Sequence, residues 1–204
     1  MIKRWLQFLG GLELIALGVA FSIKADLGTS PISSLPYAAS ELWPVSVGVA
    51  TVIMHAGFIA IQIAILRRRF DWWQLSQLPI GILFGVMIDG SLWLVQGVVA
   101  NSYLMRWLYC ALGIVLVGVG VWLEVLPRLL FLAGEGVISA LSQVLPIRFG
   151  YLKVAFDMTL VASAAALSLA GLGHIVGVRE GTLAAMLCVG LIVRALNKVF
   201  VETK

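Results

Sequence analysis

The sequence predicts an all-α membrane protein: a polytopic bundle of six transmembrane helices, arranged as a 3+3 inverted repeat, with two short interfacial or re-entrant helices. Three observations carry this expectation. Of 204 residues, 61% are hydrophobic and 12% charged, with a mean hydropathy of +1.05; a water-soluble globule cannot cover its surface with so few polar side chains. Six apolar windows, near 5–23, 45–66, 78–99, 103–126, 151–171 and 181–200, each approach the roughly 20 residues that a helix needs to cross a bilayer. The two halves also repeat. At a spacing of 100, Leu12, Gly18, Gly81, Leu83 and Gly90 meet Leu112, Gly118, Gly181, Leu183 and Gly190, and at 102, Pro44 and Gly48 meet Pro146 and Gly150. Each half, 1–100 and 101–204, has the order long span, short helix, span, span. An odd number of crossings makes the second copy enter from the opposite side.

The first window begins "MIKRWLQFLGG". Its positive start resembles a signal peptide, but the apolar run is long, Glu13 interrupts it and no small-x-small site follows, so a retained first helix is expected. It ends at "KADLGTSPISS", residues 24–34. There Gly28 permits a sharp turn, Ser30 is a good N-cap and Pro31 a good first helical residue. The helix this starts has about three turns, too few to span. In the second half, "GEGVISALSQVLP" reads as its counterpart, opened by Gly134 and Gly136 on either side of Glu135. Both could lie flat at the surface or dip inward, presenting helix N-termini to an anion.

Orientation follows from Lys and Arg near span ends. With the N-terminus in the cytoplasm, Lys3, Arg4, Arg67, Arg68, Arg69, Arg128, Arg148, Lys153, Arg194, Lys198 and Lys204 fall on that side, against Lys24, Arg106 and Arg179 outside. Eleven against three places both termini on the cytoplasmic side. Trp5, Trp43, Trp72, Trp73 and Trp107 fit interfacial anchors. The net charge of +4 is spread over span ends and forms no patch with interleaved aromatics, so no nucleic-acid partner is expected.

Three motifs are characteristic: "ALGVAFSIKADLGTSPISSL" (16–35), "GEGVISALSQ" (134–143) and "GTLAAMLCVGLIVRAL" (181–196). Together with "VSVGVATVIMHAG" (45–57) they make the chain resemble the YczE/YyaS/YitT group of bacterial membrane proteins over nearly its whole length. The resemblance implies the fold and little about a substrate.

Ionisable residues at bilayer depth are costly and mark sites by default. Glu13, His55 and Asp89 fall halfway along the first three windows and are expected to form a midplane site or to satisfy one another structurally. Thr29, Ser30, Ser33, Gly134, Glu135 and Gly136 would approach that site from the short-helix starts. Asp157, with Lys153 one turn before it, reads as a site carboxylate or a local ion pair. Arg194 could snorkel or bind an anionic substrate. There is no Walker motif, no HExxH and no Cys/His cluster with metal spacing, so neither a cofactor nor a metal is expected and the protein is not read as an enzyme. Cys110 and Cys188 are read as buried thiols.

The functional expectation is a secondary transporter of a small polar or charged metabolite, with a proton or Na⁺ as coupling ion and a homodimer as assembly. The competing expectation is a non-transporting membrane protein that regulates or assembles a partner.

Overall fold

In a computed structural model that describes residues 1–200, the apolar windows become helices and the polar breaks become their ends. The long helices are α1 (Ile2–Ala25), α3 (Val47–Leu66), α4 (Gln77–Leu94), α5 (Tyr103–Val125), α7 (Phe149–Leu172) and α8 (Glu180–Phe200). The short ones are α2 (Pro31–Leu42) and α6 (Ala133–Val144). Among the described residues all six long helices are long and apolar enough to cross a membrane, and no strand occurs. Lys204 lies outside the described residues.

The ends follow local chemistry. Ser46 and Ser102 cap α3 and α5 by accepting from the amides of Val49 (3.1 Å) and Met105 (3.2 Å). Ser30 holds the N-cap position of α2 and Pro31 its first turn, as expected. However, the Ser30 hydroxyl donates to Ser33 Oγ at 3.0 Å and caps no backbone amide. The third window, 78–99, is longer than the helix it contains, because α4 stops at Leu94 and the chain turns through Val95, with the Val98 amide donating to its carbonyl. Hydropathy alone cannot tell that apolar turn from helix.

α1 and α5 run antiparallel in close contact, through glycines. A Cβ on Gly11 would lie 2.6 Å from the Glu124 nitrogen, and one on Gly120 would lie 2.7 Å from the Gly11 carbonyl oxygen. Gly18 and Gly113 stand in the same relation, each Cβ position 2.7 Å from the other's carbonyl oxygen. With lipid as solvent, burying apolar surface gives little drive to associate, so close backbone approach does the packing. Each end of the pair is closed by an arginine: Arg4 donates to the Pro127 carbonyl just beyond α5, and Arg106 to Asp26 just beyond α1, at 2.6 Å.

The correspondence between halves runs at a spacing of 102. The short helices match at both ends (31 with 133, 42 with 144). Arg4 and Arg106 hold the same position, Gly11 and Gly18 correspond to Gly113 and Gly120, and Asp26 and Arg128 both take left-handed φ, 52° and 48°. The spacing of 100 expected for the first spans therefore gives way. Gly18 matches both Gly118 and Gly120 by type, and only the contact partners choose between them. Packing follows the same correspondence: α2 packs on α7 and α6 on α3, while α1 packs on α4 and α5 on α8.

Candidate functional site

The starts of the two short helices are buried and face each other. Thr29, Ser30, Ser33 and Ser34 are buried at the beginning of α2, as are Ala133, Gly134 and Gly136 at that of α6. At Gly134 a Cβ would lie 2.6 Å from Ile32 Cδ1, so the two first turns touch. Their far ends diverge. Leu42, the last residue of α2, packs on Gly171 near the end of α7, whereas Ser139, midway along α6, already borders a cavity shared with Trp73 and Gln74, just before α4. α2 and α6 thus enter the bundle from opposite ends, with their positive dipole ends pointing inward.

The chemistry of the two starts differs. Around α6 stand Glu135 in its first turn, Glu124 from the last turn of α5, and Lys153 and Asp157 from α7. Lys153 Nζ donates to Asp157 Oδ1 at 2.7 Å, while Glu135 Oε2 is buried without a hydrogen-bond partner. Burial pushes the Glu135 carboxyl above the usual range; Lys153 pulls against that shift and Asp157 adds to it. Gln62, 0% exposed on α3, donates to the Ala133 carbonyl (3.1 Å) and to Gln77 Oε1 (3.0 Å). Its own Oε1 has no partner, and a Cβ on Gly136 would lie 2.6 Å from it. The positions 102 earlier than Glu124, Glu135, Lys153 and Asp157 are Ser22, Ser33, Thr51 and His55: three hydroxyls and an imidazole in place of three carboxyls and an ammonium.

Each start also has a cavity. One of about 390 Å³, at the end bearing Asp26 and Arg179, reaches Ser22, Thr29 and Tyr37. The other, about 350 Å³ at the end bearing Arg128, reaches Phe131, Gly136 and Ser139. Asp26 and Arg128, Thr29 and Phe131, and Tyr37 and Ser139 are again 102 apart. The first cavity is held by Gly28, at φ 94°, and by the Thr29 amide donating to the Gly177 carbonyl at 3.0 Å. Arg179 donates to the Asp26 carbonyl at 2.8 Å. Burial, with Glu41 and Asp26 nearby, pushes the Tyr37 phenol up to about 12, which keeps it a neutral donor.

The three expected midplane residues are placed apart in role. Asp89 accepts from Ser46 Oγ (2.6 Å) and from the Gly48 amide (2.8 Å), fastening the start of α3. It lies near the end of α4 because that helix ends at Leu94. Glu13 accepts from Ser91 at 3.5 Å. His55 is 1% exposed, stacked on Phe84 with ring centres 6.1 Å apart, and its Nδ1 has no partner. Among the described residues no hydrogen bond joins any two of the three. Arg194 is exposed on α8. Sequence reasoning missed Glu124, Lys153 and Gln62 as parts of one cluster; a register of 102 would have set Glu124 beside Ser22, next to the short-helix start.

Residues 2–198 match a family of unknown function, DUF6198. The chain belongs to that family. This DUF6198 chain is also 25% identical over 199 residues to the uncharacterised membrane protein YczE of Bacillus subtilis (strain 168), covering 95% of this chain and 85% of that protein. The resemblance to YczE expected from the "ADLGTSP" and "GEGVISALSQ" segments is thereby borne out. No solved structure matches the DUF6198 chain.

Proposed function

We propose that the protein is a secondary transporter of a small polar or charged metabolite, working by alternating access between two inverted halves, 1–100 and 101–204. The observation that carries this reading is the meeting of two half-helix starts at Ile32 and Gly134, each served by its own cavity from its own end. Broken helices with inward N-termini at a repeat interface are how inverted-repeat transporters build a site open to either side in turn. The recurrence of contacts at a spacing of 102, down to the residues bordering the cavities, supports the inverted relation.

The end bearing Arg4, Arg67, Arg68, Arg69, Arg128 and Arg148 is the cytoplasmic one by the excess of basic residues, in a bacterial inner membrane. Substrate contacts come from Thr29, Ser33 and Tyr37 on one side and from Glu135, Gly136 and the Asp157–Lys153 pair on the other, with His55 of α3, packed against Gly81 and Phe84 of α4, as a further polar group. Asp89 has a structural role in this reading, and Arg194 meets headgroups.

The test is flux in proteoliposomes over a panel of small amines, acids and polyols, with Ile32→Trp to jam the junction. Flux of one class, abolished by Ile32→Trp in protein that remains folded, is expected. Absence of flux for every compound, together with absence of any ligand-induced thermal shift, overturns transport in favour of a protein that regulates or assembles a partner.

A further inference from the structure

We propose that Glu124 and Glu135 hold one exchangeable proton between them, taken up and released through the cavity at the Arg128 end. The proton is then the coupling ion, a step that rests on the transport reading above.

The argument begins with the charge count. Three carboxyls and one ammonium share the start of α6, and the 2.7 Å contact matches Lys153 to Asp157. Glu124 and Glu135 remain without an ion-pair contact, Lys153 acting on Glu135 only from its place beside Asp157, and Glu124 is only 2% exposed. Two neighbouring carboxylates withdrawn from water do not both stay ionised. The hydrogen-bond count agrees. Two buried oxygens at this turn, Glu135 Oε2 and Gln62 Oε1, are acceptors without a donor, and Gln62 is fully buried and aimed at Gly136. The missing component is a donor.

Space selects a proton. Gln62 closes on Gly136 so tightly that a single added methyl would lie 2.6 Å from its oxygen, leaving no room for an ammonium there. Among the described residues no three His, Cys, Asp or Glu side chains converge as a metal site requires. Access comes from the Arg128 end, where the cavity borders Val125 and Gly136, the residues immediately after Glu124 and Glu135.

The other groups facing the pair are Lys153 and Asp157 from α7, the backbone amides of Leu132 and Glu135, which donate to the Glu124 and Glu135 carboxyls, and the Gln62 amide from α3, closing on Gly136. In uptake, an O–H bond of a hydronium in the cavity breaks as an O–H bond forms on the carboxylate, leaving neutral water; release reverses the step. The neutral counterparts Ser22 and Ser33 confine the exchange to one end.

The test is infrared spectroscopy of the purified full chain, without substrate, with the proton as probe and exchange into D₂O to identify the C=O stretch of protonated carboxyls. Near pH 7 the wild type is expected to show a band worth about one carboxyl that the Glu124→Gln/Glu135→Gln double variant loses. Should the double variant fail to fold, Glu135→Gln alone is compared, and the band is expected to shift in frequency, because the remaining carboxyl no longer shares its proton. An unchanged band in a folded variant overturns the proposal, as does a band that responds to Na⁺ at constant pH. A retained band without flux contradicts the transport reading and not the shared proton; flux without the band contradicts the shared proton and not transport.

Discussion

Ile32 Cδ1 lies where a side chain on Gly134 would begin, 2.6 Å from its Cβ position, so the first turns of α2 and α6 are in direct contact. The atom met is the tip of a flexible side chain. Gly134→Ala is therefore expected to be tolerated, while Gly134→Val overpacks and costs about 1–3 kcal/mol. Adding Ile32→Ala to Gly134→Val is expected to recover most of that loss, read as melting temperature in detergent. Absence of coupling between the two would mean that the turns do not touch.

The antiparallel α1–α5 pair makes a sharper contrast between adjacent glycines. A Cβ at Gly11 meets the backbone of Glu124 and Gly120, which cannot swing aside, whereas one at Gly10 meets nothing within 4 Å. Gly11→Ala is expected to cost about 1–3 kcal/mol and Gly10→Ala close to nothing. Thermal denaturation of the two variants decides it.

Glu135 gives stability a pH dependence whose sign can be worked out. Burial, the largest influence on it, raises its carboxyl above the ordinary 4.5 in the folded protein. The folded state therefore binds the proton more tightly than the unfolded one. This contribution is complete below about 4.5 and is lost as pH rises through the raised folded value. The melting temperature is expected to fall over that window, and Glu135→Gln to flatten the fall. An equal slope in the variant would assign the dependence to other groups.

Asp89 separates structure from transport. Its carboxylate accepts from Ser46 Oγ and the Gly48 amide at the start of α3, so Asp89→Ala is expected to destabilise by about 1–2 kcal/mol, the scale of a lost helix cap. Once stability is compensated by temperature, ligand affinity is expected to be unchanged, as measured by thermal shift with any compound found to bind.

Much of the fold was legible because its signals are local. Window length set the spans, and the serines and Pro31 set several helix starts. What escaped depended on which chain neighbours which. Hydropathy puts Asp89 at the midplane because Val95–Val99 is apolar enough to extend a helix that in fact turns, which sets the apparent helix end too far along the chain. At a spacing of 100 Glu124 falls opposite Lys24, because a glycine-rich helix can be matched at more than one register; the reciprocal contacts of Gly11 with Gly120 and Gly18 with Gly113 favour 102. Glu135 and Asp157 each stand out in the sequence as charges at depth, but nothing in sequence spacing brings them to Glu124 and Gln62, since four different helices supply the group.

Alternating access is tested most directly by the accessibility of Tyr37 and Ser139, equivalent positions that border the two cavities. On a background with Cys110 and Cys188 replaced by alanine, Tyr37→Cys and Ser139→Cys are made separately and labelled with a membrane-impermeant maleimide in open membranes, over a pH series and with any ligand found by thermal shift. The account predicts opposite trends, one position losing reactivity under the conditions in which the other gains it. Reactivities that rise and fall together, or that stay constant at both positions, would contradict it.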